Sequence, residues 1–425
     1  MRILHVSSLY YPSLGGNQTL CQWISEKMAE LGENVTVFTA RAFSEKQFEI
    51  FESQVRSLPR EETINGVVVR RFQVNYRLRE LLLKKLKKMR GGWWLLTVVF
   101  GDALNFWEHG PVVLDLFLSI VAHRPDVILA TNNSPFTTYL CYLVRKIFKF
   151  PLVIMPLTHA SVAWSSHPFL TKIYNTADLV LASTDFEQKH LLNMGVRPEK
   201  VKVMGHGIEA DIFAGAKGER FKAKYHLSDG PVVGYVGRKV AGKGIDTLID
   251  AMALVWKQRS DVQLVLAGSA EEKTGQDIEN RLARLSPEEK ARVRNTYDFS
   301  NTEKGDIYAA LDVFAMASNV DSFGMANLEA WISGVPIIAC RNTPQETMFE
   351  DGKDGLLVEY NNKEELAEAI LKMVRDKDLS AAMGRQGREK VLQRYTLDVY
   401  ARALRDEYRR LTEKNQNMID IDSKS

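Results

Sequence analysis

Cysteine is scarce in this chain. Cys21, Cys141 and Cys340 are odd in number and far apart, so they form neither a disulfide framework nor the paired spacing of a zinc or dithiol site; they fit a reducing cytoplasm. Long hydrophobic runs are missing as well. Nothing approaches the roughly 18–20 apolar residues of a membrane-spanning helix, and the apolar stretch behind Met1 is too short for a secretory signal. No group of His, Cys, Asp and Glu has metal-ligand spacing, so no metal is expected. No Gly-x-Gly-x-x-Gly follows the first strand, which leaves a dinucleotide cofactor unsupported. What is there is ordinary soluble composition, 45% hydrophobic and 26% charged, and 425 residues suffice for two domains with a core each.

The net charge of +3 is unevenly spread. Residues 1–208 carry 24 Lys and Arg against 17 Asp and Glu, and the remainder carries 32 against 36, so an anionic partner is expected on the first half. Nine of the basic residues fall between 70 and 90, beside Leu78, Leu82, Leu86 and Met89 at helical spacing; Trp93, Trp94 and Trp107 follow. A cationic amphipathic helix with interfacial aromatics fits an anionic membrane surface, through residues 70–107. A domain helix with a solvated basic face fits the same pattern. Nucleic acid is not an expected partner, because no RNA- or DNA-binding motif accompanies the charge. The expected location is cytoplasmic, with peripheral attachment to the inner face of the cell membrane.

Apolar runs of strand length alternate with helical segments. Ile3–Val6 reads as a strand, Tyr11–Gly16 as a loop, Thr19–Leu31 as a helix and Val35–Thr39 as the next strand, a βαβ unit. Further strands are expected at 127–130, 152–155, 179–182 and 201–204. The pattern restarts at 232–236 and continues at 263–267, 313–316, 336–339 and 356–358. This predicts an α/β protein of two doubly wound parallel-sheet domains, residues 1–208 and 209–396. A last helix over 397–414 carries an apolar stripe, and the polar residues 415–425 are expected to fray.

The loop after the strand at 232–236 reads Gly237-Arg238-Lys239-Val240-Ala241-Gly242-Lys243-Gly244. It matches a Walker A loop except at its last position, where a P-loop needs the hydroxyl of Ser or Thr for magnesium. The strand at 263–267 ends in Gly268, with no Walker B aspartate. The loop reads instead as a diphosphate cradle in which Arg238 and Lys243 stabilise a departing diphosphate without a metal. Further on, Asp321 lies in a loop marked by Gly324, and Glu329 on the helix that follows and ends at Gly334. A helix start offers free N–H groups and a positive dipole end. Carboxylates beside it accept hydrogen bonds from sugar and ribose hydroxyls, which suggests a pocket for a nucleotide sugar. Gly15-Gly16 brings backbone N–H groups close to a phosphate or sugar, or serves simple turn chemistry. His159 follows the strand at 152–155, where such sheets place ligands, although an isolated histidine also serves structural roles. His206 reads as a linker residue near the cleft.

Taken together these pieces resemble a family-4-type retaining glycosyltransferase with the GT-B fold. The resemblance rests on Met1-Arg-Ile-Leu4 with Tyr10-Tyr-Pro-Ser-Leu-Gly-Gly16, the linker Val203–Phe213, Val236-Gly-Arg238 with Lys243-Gly244, and Leu311–Ser318 leading into the carboxylate motif, and it covers nearly the whole chain. It implies two Rossmann-like domains facing a central cleft, with the C-terminal helix, about 397–425, crossing back to complete the first. It implies a hexosyltransferase using a UDP- or GDP-sugar and a glycan or lipid-linked acceptor. Arg238 and Lys243 would bind the donor diphosphate, Glu329 the ribose and Asp321 the donor sugar. Gly268 and backbone from Phe323, Gly324, Met325 and Ala326 would line the donor pocket, with His159 and Gly16 beside the transferred sugar. One departure stands out: the family has glutamate at both ends of the motif, whereas the first carboxylate here is Asp321, one methylene shorter. Two other classes use a similar fold, a sugar-nucleotide epimerase or hydrolase and a non-catalytic nucleotide-sugar-binding protein.

Overall fold

Successive residues of a strand face opposite sides of its sheet, and β1 (Arg2–Val6) shows how this chain uses that. Ile3 joins one core, whereas Leu4 and Val6 join the other. The computed structural model describes residues 1–13, 15–48, 52–76, 110–131, 135–157, 167–297 and 299–422, with 301, 302 and 418–422 described through their backbone alone. The described chain forms two units, Met1–Gly207 with Leu397–Ser425, and Ile208–Thr396.

The first unit holds β1, β2 (Asn34–Ala40), β3 (Glu61–Ile64), β4 (Val67–Phe72), β5 (Val127–Thr131), β6 (Leu152–Met155), β7 (Leu179–Ala182) and β8 (Val201–Val203) in the order β3-β4-β2-β1-β5-β6-β7-β8. Every pair is parallel except β3 with β4. The helices Gly16–Glu30 and Leu397–Asp422 cover one face, and Asp115–His123, Pro135–Phe148 and Pro168–Thr176 cover the other. The β3–β4 hairpin turns on Asn65 and Gly66 at φ 45° and 82°, the positive pair of a type I′ turn. Arg70 and Arg71 of the basic stretch therefore belong to a strand. Arg70 bonds Glu61 at 2.6 Å, and Arg71 is buried, paired with Glu62 and donating to the Tyr11 carbonyl at 2.7 Å. The rest of that expected surface, from 77 to 107, lies outside the described residues.

The last helix runs to Asp422, so residues 415–422 continue it rather than fray. Extending an already nucleated helix adds one hydrogen bond per residue fixed and costs little. Tyr400, Leu404, Tyr408 and Leu411 of this helix are buried against the first sheet and the helix Gly16–Glu30. Tyr408 also reaches His5 in β1: its hydroxyl lies 3.2 Å from Nε2, while Nδ1 lies 2.8 Å from Ser25 Oγ. Ser25 donates to the Cys21 carbonyl, so Nδ1 carries the proton and Nε2 accepts from Tyr408. Burial pushes the His5 pKa down to about 3 from 6.5. The unfolded chain thus binds a proton that the native one refuses, and stability is lost as pH falls from 6.5 toward 3. The urea midpoint of this unit is expected to drop between pH 6.5 and 4. His5→Gln, weaker at neutral pH, should show the shallower decline; an equal slope would assign the loss to other groups.

The second unit holds β9 (Val232–Val236), β10 (Gln263–Ala267), β11 (Val293–Thr296), β12 (Val313–Met316), β13 (Ile337–Cys340) and β14 (Gly355–Val358), in the order β11-β10-β9-β12-β13-β14. All its pairs are parallel. The chain leaves β9 toward β10 and β11, then returns to its other side as β12. Loops diverge at such a reversal, and ligands bind there beyond the carboxyl ends of the strands. Among the described residues no helix is long and apolar enough to cross a membrane.

Candidate active site

The loop leaving β9 is held by its neighbours. The buried Tyr235 donates to the Arg238 carbonyl at 2.7 Å, and the Lys239 amide donates to the Ser269 carbonyl at 2.7 Å. Gly268 packs backbone to backbone on this loop, since a Cβ there would lie 2.0 Å from the Gly237 oxygen. Gly244 caps the helix Ile245–Trp256 at φ 68°, and its Cβ would meet the Ala317 oxygen at 2.0 Å. The Ser or Thr of a P-loop has no room at that position. Arg238 is exposed.

Lys239, which the sequence reading passed over, is fully buried. Its ammonium donates to Asn295 Oδ1 at 2.5 Å and to the Thr296 carbonyl at 2.8 Å, and lies 4.2 Å from the centre of the Tyr297 ring. Burial lowers its pKa to about 8, partly countered by Glu279. It ties the loop after β9 to the end of β11. The basic run around it hid this role, because nothing local separates a buried lysine from the exposed Arg238 and the half-buried Lys243 beside it.

The second half of the site follows β12. Gly324, at φ 90°, caps the helix Met325–Ile332. Phe323 is buried edge-on against Tyr395, and Met325 and Ala326 are half-buried. As the first residues of a helix, these two present amides that lack intrahelical partners. Asn327 donates to Gln345 at 2.8 Å, and Gln345 to the Ser318 carbonyl at 2.9 Å, which fastens the loop to the helix start.

The sequence assigns Asp321 to the donor sugar and Lys243 to the diphosphate, with no contact between them. The structure joins them: Lys243 Nζ contacts Asp321 Oδ1, with both side chains about 15% exposed. Asp321 Oδ2 is buried and has no hydrogen-bond partner among the described residues. A buried acceptor of this kind has hydrogen-bonding capacity that the described residues leave unmet. Glu329 is also engaged. Lys304 contacts its Oε1, and Tyr308 donates to Oε2 at 2.9 Å. Sequence reasoning missed both partners, although Lys304 and Tyr308 stand four apart on the helix Asn301–Ala309 and so share a face.

In the first unit Gly16 opens the helix Gly16–Glu30, and a Cβ there would meet nothing within 4 Å. His206 is an internal residue rather than an open linker. It is 3% exposed, with Nε2 2.9 Å from Ser183 Oγ, and burial lowers its pKa to about 3. His159 lies outside the described residues.

Comparison with known proteins adds relatives to this geometry. Residues 217–390 match the family model for glycosyl transferases group 1, and residues 15–207 that for the glycosyl transferase 4-like domain. The capsular polysaccharide biosynthesis glycosyltransferase CapM of Staphylococcus aureus is 25% identical over 56% of this chain and 62% of its own length. The GDP-mannose-dependent alpha-(1-6)-phosphatidylinositol monomannoside mannosyltransferase of Mycobacterium tuberculosis is 26% identical over 60% of this chain and 68% of its own. Across the curated relatives CapM, a Rhizobium lipopolysaccharide core glycosyltransferase and a Corynebacterium D-inositol 3-phosphate glycosyltransferase, the chain spans 62%, 50% and 53% of their lengths. In fold, the chain is similar to Anabaena Alr3699/HepE, solved in complex with UDP and glucose, with a TM-score of 0.72, 19% identity and coverage of 95% and 98% of the two chains.

Proposed function

From a chain that belongs to the family-4-type glycosyltransferases of GT-B fold, we propose a retaining, metal-independent enzyme that moves a sugar from a nucleotide-diphosphate donor to an acceptor hydroxyl. One observation carries the reading. Arg238 and Lys243 after β9, and Asp321 and Glu329 after β12, stand on the two sides of the chain reversal in one sheet. Cations suit a diphosphate there, and carboxylates suit hydroxyls.

As the bond from the sugar's anomeric carbon to the diphosphate oxygen breaks, negative charge grows on the diphosphate. Arg238 and Lys243 meet that charge more strongly than they meet the ground state, and this difference is what accelerates the step. The acceptor hydroxyl attacks the same face of the sugar, and its proton passes to the departing phosphate oxygen, so no protein base is needed. An arriving diphosphate competes with Asp321 for Lys243. The carboxylate so released accepts a hydroxyl of the sugar. Glu329, positioned by Lys304 and Tyr308, accepts from the ribose.

The donor is a UDP- or GDP-sugar, in keeping with the UDP bound to HepE and the GDP-mannose in the mycobacterial relative's name. The acceptor is a glycan or a lipid-linked glycan. The basic and aromatic residues from 77 to 107 would bring the enzyme to an anionic membrane surface. Glu329→Gln is expected to weaken nucleoside diphosphate binding about tenfold, since it removes a charge-assisted hydrogen bond. Calorimetry reads this directly, and unchanged affinity would move the ribose contact elsewhere.

A further inference from the structure

We propose that the ring of Tyr297 is the stacking surface for the donor's nucleobase, an inference that rests on the nucleotide-sugar reading above. Tyr297 follows directly on β11, beyond the carboxyl ends of the strands, and is 41% exposed. An aromatic ring at such a position usually turns freely, but this one is held. Its hydroxyl donates to Glu279 at 2.5 Å and accepts from Asn295 at 2.8 Å, while the Lys239 ammonium lies 4.2 Å from its centre. A ring already fixed loses little conformational entropy when a planar ligand settles on it.

Its place in the chain matches the shape of a nucleotide. Lys239 adjoins Arg238 in the diphosphate loop, so Tyr297 is one side chain away from that loop. Past Tyr297 the chain enters the helix Asn301–Ala309, whose Lys304 and Tyr308 hold Glu329. The ring thus stands on the segment that joins the group assigned to the diphosphate with the groups that position the ribose contact. A nucleoside diphosphate anchored at both has its base directed toward this segment. Every base offers a π face, and stacking on an aromatic side chain is the contact that tolerates any of them.

A purely structural ring would only cover Lys239, and the test separates the two roles. Calorimetry on the full chain would compare UDP, GDP and ADP with inorganic pyrophosphate, which has no base. Tyr297→Leu keeps an apolar cover and removes the π face. It is expected to weaken the best nucleoside diphosphate roughly 5- to 100-fold and to leave pyrophosphate unchanged. Tyr297→Phe and Tyr297→Trp, which keep a ring, should restore most of the loss; this comparison stands even where the leucine variant folds poorly. Wild-type affinity in Tyr297→Leu, or equal weakening of pyrophosphate, would overturn the inference and leave the donor site in place. If the wild-type protein binds none of the three nucleotides better than pyrophosphate, the nucleotide-sugar reading itself fails, and this inference with it.

Discussion

Replacing Lys243 with alanine is expected to lower turnover roughly a hundred- to thousandfold, the usual cost of removing one preorganised group from developing charge. The second unit should stay folded, because the loop is held independently of Lys243 by the Tyr235 hydroxyl on the Arg238 carbonyl and by the Lys239 contacts to the end of β11. The loss should fall mainly on kcat, since the ammonium acts on charge that grows as the bond breaks. The ion pair with Asp321 makes a second comparison informative. Alanine at 243 leaves a partly buried carboxylate without its cation, so some of the defect arises in the free enzyme. Comparing Lys243→Ala and Asp321→Ala with the double variant apportions it. If Asp321 serves only to hold Lys243, the double variant matches Lys243→Ala; if it also contacts the sugar, the double variant loses more. Undiminished turnover of Lys243→Ala with the true donor and acceptor would remove the proposed mechanism.

Ending the chain at Thr396 is expected to unfold the first unit and spare the second. The removed helix buries Leu397, Tyr400, Leu404, Tyr408 and Leu411 on a sheet more than two hundred residues away in sequence. At about 2 kcal/mol for each large apolar side chain, their loss is on the order of 10 kcal/mol. That equals the whole net stability of a typical domain. The truncation also strips Tyr408 from His5, leaving a buried ring nitrogen without its donor. Scanning calorimetry with limited proteolysis would follow both units at once. Intact protection of β1 and β5 in the truncated chain would show that the helix is dispensable.

The apolar strands were legible because their signal is local. Runs such as Val127–Thr131 and Gln263–Ala267 are buried on both faces, as central strands of parallel sheets must be, and Gly268 punctuates the end of the second. Three strands escaped; one of them, β4, buries Val67 and Val69 but runs straight into the basic residues Arg70 and Arg71, which the charge pattern assigns to a helix. β3 has no buried residue, and β11 has one, Val293, so neither offers an apolar run to read. Both stand at the edge of a sheet.

The same division runs through the site. The sequence by itself determined which segments reach it: a glycine loop bearing Arg238 and Lys243 after one strand, and a helix start flanked by Asp321 and Glu329 after another. These follow from spacing over a few residues. Only the tertiary structure decided which charges meet. Lys243 finds Asp321 across 78 residues, Lys239 finds Asn295 across 56, and Lys304 finds Glu329 across 25. Such partners are chosen by the order of strands in the sheet, which places β9 between β10 and β12 and sets their loops side by side. Charge attracts at short range in space, whatever the distance along the chain, so the pairing waits on the fold.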